Sequence, residues 1–135
     1  MKTTDCLYGM TTTVDGTFDE TVAKVKDTFK RHGFGTMTEI DVRALLRDKI
    51  GQEIEPYTIV GICNPDMALR AIQAEHDVGL LMPCNVLVHE CGGRIHVSLL
   101  DAVQMLAPAQ NAALTAIAEE AKTRMSKALA EIAGE

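Results

Sequence analysis

No run of apolar residues approaches the ~20 that a helix needs to cross a bilayer. The N-terminus, Met1-Lys2-Thr3-Thr4-Asp5-Cys6, lacks the apolar stretch of a secretion signal. These two absences lead us to expect a cytoplasmic protein. Cysteine is scarce, at four residues, and in a reducing compartment the four are expected as free thiols. A basic run is also missing: 13 Lys and Arg stand against 19 Asp and Glu, a net charge of −6. Binding nucleic acid requires cations that displace the counterions of the phosphates, and docking on an anionic membrane needs them too, so the composition argues against both partners. There is no glycine-rich phosphate loop, because Gly33-Phe34-Gly35 lacks a third glycine and follows a helix rather than a strand. No Ser-His-Asp pattern, internal repeat, low-complexity tract or linker is readable.

What is present fits one domain spanning residues 1–135. The mass is 14.6 kDa, with 47% hydrophobic and 24% charged residues, an ordinary globular balance at ordinary domain size. Alternation predicts a first strand over residues 6–14, with Cys6, Tyr8, Met10 and Val14 on one face. Asp15-Gly16 turns the chain, and Thr17 with Glu20 forms a capping box. Phe18, Val22, Val25 and Phe29 then make one stripe of an amphipathic helix ending at Gly33. A weaker strand follows over residues 34–40, and a short helix, capped by Asp41, carries Val42, Leu45, Leu46 and Ile50.

Tyr57–Cys63 reads as a strand with both faces covered. Asn64-Pro65-Asp66 is a helix start in three respects: a favoured N-cap, a proline pre-shaped for the first turn, and an acid at the positive end of the dipole. Gly92-Gly93 is a two-residue turn joining two strands, and it fixes their register: Cys91 opposite Arg94, Glu90 opposite Ile95, His89 opposite His96, Val88 opposite Val97. Val86, Val88, Ile95, Val97 and Leu99 then share an apolar face, and Leu87, His89, Cys91, Arg94, His96 and Ser98 a mostly polar one. Asp101 caps a short turn of helix, and Pro108 opens a long final helix striped by Leu114, Ile117, Ala121, Met125, Ala128 and Ile132. Strands outnumber full-length crossover helices, so the pattern predicts an α+β fold, an antiparallel sheet with helices on one face. The alternative is a parallel α/β arrangement in which the helix after Pro65 is a right-handed crossover.

Two cysteines stand out. Cys63 ends a strand and directly precedes a helix N-cap, where free N–H groups and the helix dipole favour a thiolate and would lower its pKa. The competing reading is a buried cysteine acting as a small apolar residue. Cys84 follows Pro83 at the start of the hairpin. If Tyr57–Cys63 pairs antiparallel with that strand, Cys63 and Cys84 are neighbours within disulfide or metal reach. If the strands are parallel, roughly 20 Å separates them at ~3.3 Å per residue. His89, Cys91 and His96 form a second set, two imidazoles and a thiol able to bind zinc. No carboxylate shares their face, and a solvated or partner-covered polar face explains them without a metal. Glu39 and Asp41 can point to one side for acid–base work, although capping explains Asp41, and Lys49 can complement its helix dipole.

The segments Gly33-Phe34-Gly35, Thr38-Glu39-Ile40-Asp41-Val42, Tyr57 through Cys63-Asn64-Pro65, and Leu81-Met82-Pro83-Cys84 occur in this order and at these separations. Together they resemble the family known as domain of unknown function 302, over a stretch from the first strand to Leu106. The resemblance implies a small bacterial or archaeal domain of TATA-binding-protein-like arrangement, β-α-β-β-β-β-α around a curved antiparallel sheet of about five strands. It implies the antiparallel option that brings Cys63 toward Cys84, and it implies a homodimer. It supplies no reaction, and likeness to a DNA-binding saddle carries no function by itself.

The expectation is therefore a thiol-based site, for redox, sulfur handling or soft-metal binding, with Cys63 and Cys84 as the reacting pair. Asn64, Pro65 and Pro83, with Glu39 and Lys49, would surround a small anionic or sulfur-containing ligand. The alternative is a non-enzymatic dimeric binding or scaffold module whose cysteines are structural and whose face of Leu87, His89 and His96 meets a partner. The sequence names no cofactor and no substrate.

Overall fold

Five polar side chains set where the helices begin. Thr17 Oγ1 accepts from Glu20 N at 3.1 Å, Asp41 Oδ1 from Ala44 N at 2.9 Å, and Asn64 Oδ1 from Met67 N at 3.0 Å. Asp101 Oδ1 accepts from Val103 N at 2.9 Å, and Asn111 Oδ1 from Ala113 N at 3.0 Å. Each satisfies N–H groups that the first helical turn leaves free. The computed structural model describes residues 3–134, with side chains from Cys6 onward. Its elements run β1 (Thr3–Cys6), β2 (Gly9–Val14), α1 (Phe18–Arg31), β3 (Gly35–Asp41), α2 (Val42–Ile50), β4 (Tyr57–Cys63) and α3 (Pro65–Ala74). A 3₁₀ turn (His76–Leu81) leads into β5 (Cys84–Cys91), β6 (Arg94–Leu100) and α4 (Ala102–Leu106). A second 3₁₀ turn (Ala107–Ala109) precedes α5 (Ala112–Ile132).

The strands form one sheet in the order β1-β2-β6-β5-β4-β3, antiparallel at every pairing. This is the expected α+β class, and the parallel alternative falls. The hairpin register is as the turn dictated: His89 pairs with His96, and Cys91 with Arg94. Both glycines of the turn have positive φ, 62° and 78°, which side chains other than glycine rarely adopt.

Two expectations need correction. The first strand is not continuous over residues 6–14: it is a hairpin in which Cys6 pairs with Gly9 around Leu7 and Tyr8, adding a sixth strand. Pro108 does not open the final helix. It lies in the 3₁₀ turn, and Asn111 caps α5 instead.

One face of the sheet carries the core. Val60, Ile62, Val86, Val88, Ile95, Val97 and Leu99 pack against Val25 and Phe29 of α1, Met67 and Ala71 of α3, and Leu114 and Met125 of α5. Helix α5 touches α1, α3 and α4, so it organises the helical layer. Helix α2 contributes no buried residue, and Ile50, read as part of its apolar stripe, is 64% exposed. The opposite face of the sheet, with Tyr57, Ile59, Leu87 and Ser98, lines an open groove of about 350 Å3.

Candidate functional site

The β4–β5 pairing places Ile62 opposite Cys84, so Cys63 stands one residue beyond the residue facing Cys84. Both cysteines line one cavity of about 60 Å3 where β4 ends, α3 begins and α4 crosses. Its walls are mostly apolar, including Phe34, Ile62, Val78 and Leu106, together with Met67, Met82 and Met105. Cys84 Sγ lies 3.9 Å from Met105 Sδ.

Local sequence explains the shape of this corner. Gly61, immediately before Ile62, has no room for a side chain. A Cβ there would overlap Thr38 Oγ1 and come within 2.8 Å of Pro83 Cγ. The absence of that carbon lets Pro83 lie flat on β4 and deliver Cys84 to the cavity; the Met82–Pro83 peptide is cis. A register shift between Thr36 and Thr38 on β3 accompanies the close approach. On the other side, Asn64 uses both ends of its amide. Its oxygen caps α3, and its nitrogen donates to Gly33 O at 2.9 Å. Gly33, at φ +94°, sits so close to Arg124 that a Cβ would lie 2.6 Å from a guanidinium nitrogen.

Arg124 holds the rim. Its guanidinium lies over the Phe34 ring at 5.4 Å and donates to His32 O at 3.2 Å. It also pairs with Glu120 at 3.7 Å, one helical turn away, and Glu120 accepts from Arg70 of α3 at 3.2 Å. Asp101 fixes α4 from beneath. It caps that helix and accepts from Lys122 of α5 at 2.9 Å. Burial disfavours its charge, but the hydrogen bonds from Lys122 and the two backbone N–H groups outweigh this and hold the carboxyl below its ordinary range.

The electrostatics of the thiols run against one expectation. Cys63 is not acidified. Burial pushes its thiol up, because transfer from water penalises the thiolate. Cys84 is pushed up further, to about 11, by burial and then by the proximity of Cys63. At neutral pH the cavity therefore holds two protonated thiols.

Of the residues named from sequence, Cys63, Asn64, Pro83 and Cys84 line this one cavity. Pro65 occupies the exposed first position of α3. Glu39 and Lys49 are not brought to it: Glu39 pairs with Lys26 at 2.8 Å on the edge strand, and Lys49 is exposed on α2. The zinc set does not assemble either. His89 and His96 stack with ring centroids 5.0 Å apart, while Cys91 is exposed opposite Arg94. Among the described residues, no group of three His, Cys, Asp or Glu side chains is placed to hold a metal. Sequence reasoning missed Met105. The signal was available in the Asp101 cap, which fixes the phase of α4 so that Ala102, Met105 and Leu106 share the face turned to the cavity.

Among the described residues, no helix is long and apolar enough to cross a membrane. No curated protein matches the sequence. A crystal structure of an uncharacterized conserved protein DUF302 from Bacillus stearothermophilus superposes with a TM-score of 0.85 at 24% identity, covering 92% of this chain and 97% of that one. At that identity the likeness carries the fold alone. The sequence itself matches the pattern of Domain of unknown function DUF302 over residues 10–132, and since this is most of the chain, the protein belongs to the DUF302 family.

Proposed function

We propose that the working site is the cavity shared by Cys63 and Cys84, and that it acts through two protonated thiols as a pair. One observation carries the reading: residues twenty-one apart in the chain line the same 60 Å3 space, whose other lining residues are apolar except for Asn64. A space this small admits an atom or a small group rather than an extended metabolite, which fits redox exchange, sulfur handling or capture of a soft ion. Neutral thiols in an apolar pocket are slow nucleophiles, so chemistry here begins when an incoming oxidant or thiophilic species displaces a proton. In a cytoplasmic setting the resting state is the dithiol.

The test uses protein carrying Cys6→Ser and Cys91→Ser, which removes the two exposed thiols. A diazene oxidant such as diamide takes up two electrons and two protons as Cys63 and Cys84 join in one S–S bond. We expect that intramolecular disulfide by peptide mapping, reversed by dithiothreitol. Thiols that remain free, or that link only between chains, would contradict the reading.

A second reading is favoured by the uncovered sheet face. Leu7 is 92% exposed beside the groove lined by Tyr8, Tyr57 and Leu87, and an apolar surface of this kind suits a second copy of the chain. On that reading the protein is a dimeric binding or scaffold module, and replacing Cys63 and Cys84 by Ala leaves the dimer intact.

A further inference from the structure

Sulfur is concentrated in this corner. Five sulfur-bearing residues, two cysteines and three methionines, line the cavity, and the oxygen and nitrogen of Asn64 are already engaged with Met67 N and Gly33 O. Few hard donors are therefore left to a bound ion. We propose that the cavity is a three-sulfur site for a soft monovalent metal ion of the copper(I) type, ligated by Cys63, Cys84 and Met105. The proposal rests on the paired-thiol reading and names its ligand.

Three arguments support it. The first is donor softness. Thiolate and thioether ligands select copper(I) among the ions of a cell, whereas calcium and magnesium require oxygen and zinc prefers four ligands in a tetrahedron. The second is spacing. With metal–sulfur bonds of about 2.3 Å, a trigonal site sets its sulfurs about 4 Å apart, and Cys84 Sγ stands 3.9 Å from Met105 Sδ. The third is charge. In the binding step both thiols give up their protons to solvent as two metal–sulfur bonds form. One positive ion with two thiolates leaves a single negative charge, and no electron changes hands. The N-terminus of α3 directly follows Cys63, and the Arg124 guanidinium lies behind Phe34, a wall of the cavity. Both favour a negative charge there.

The experiment again uses the Cys6→Ser, Cys91→Ser protein, fully reduced and without a histidine tag. Copper(I) is supplied as its coloured bicinchoninate complex under anaerobic conditions. We expect one equivalent of copper withdrawn per chain, with an ultraviolet thiolate-to-metal band and about two protons released per ion. Added zinc should not restore the colour. Cys84→Ser should abolish withdrawal. Met105→Leu, which conserves volume and so preserves the fold, should weaken it at least tenfold. Full-strength binding by Met105→Leu, or no withdrawal of copper at all, would overturn the proposal. Disulfide formation without copper binding defeats the metal assignment alone, whereas failure of both defeats the paired-thiol reading itself. If Met105→Leu melts early, Met82→Leu serves as the comparison: equal loss in both variants would mean that packing, not ligation by Met105, is responsible, and the assignment would fall.

Discussion

Asn64 and Gly33 are joined by a 2.9 Å hydrogen bond between the side-chain amide of one and the backbone carbonyl of the other. That bond ties the turn after α1 to the start of α3, thirty-one residues later, beside the thiol cavity. The same side chain caps α3. Its position in the Cys-Asn-Pro sequence therefore has a structural reason that holds whether or not Asn64 ever touches a ligand.

Replacing Asn64 by Ala removes the cap and leaves the Gly33 carbonyl without its donor. A lost cap costs about 1 kcal/mol and a lost hydrogen bond a similar amount, so the expected destabilisation is about 2 kcal/mol in urea unfolding. Asn64→Asp keeps the capping oxygen but not the donor, and should lie between the wild type and Asn64→Ala.

Gly61→Ala places a methyl group where Thr38 Oγ1 and Pro83 Cγ already are. Overpacking of this kind costs roughly 1–3 kcal/mol. Because Pro83 leads directly into Cys84, the variant should also expose that thiol. Alkylation of Cys84 at neutral pH should be faster than in the wild type, and Thr38→Ala in the same chain should recover part of the lost stability.

The raised pKa of Cys84 has a consequence for stability. A thiol that ionises near 9 when unfolded and near 11 when folded retains its proton longer in the native state. Between those values the folded chain binds more protons than the unfolded one, so stability falls as pH rises. The whole contribution of this group is present below about pH 9 and is lost progressively toward 11. Two units correspond to at most about 3 kcal/mol. Unfolding measured from pH 8 to 11 should show this loss in the wild type and a shallower one in Cys84→Ser.

Most of the fold was legible because its punctuation is local. The Gly92-Gly93 turn fixed the β5–β6 register through the positive φ that two glycines permit, and Asn64-Pro65, Asp101 and Thr17 marked helix starts by hydrogen bonds made within a few residues. The β1–β2 hairpin was illegible because Leu7 and Tyr8 carry none of the residues that usually announce a turn. The α2 stripe misled because a period of apolar residues states what a helix can bury, not that anything covers it: Leu45 and Ile50 remain exposed.

The site divides in the same way. Cys63 and Cys84 could be brought together only by choosing the antiparallel sheet, a single topological fact. The downward expectation for the Cys63 thiol failed because local dipole reasoning cannot count the apolar side chains that tertiary packing adds around it. Met105 reaches the cavity through the packing of α4 on α5, with Lys122 holding the Asp101 cap. Glu39 was drawn away by Lys26, a partner on another element that no spacing rule reveals.

The account depends on Cys63 and Cys84 behaving as one unit. Arsenite tests this most directly, since trivalent arsenic exchanges hydroxyl groups for thiols with release of water and reports how many thiols it captures at once. In Cys6→Ser, Cys91→Ser protein we predict one arsenic per chain with both remaining thiols consumed together, and no stable adduct once either Cys63 or Cys84 is replaced by Ser. An adduct that survives in either single-thiol variant, or two thiols that stay free at saturating arsenite, would contradict it.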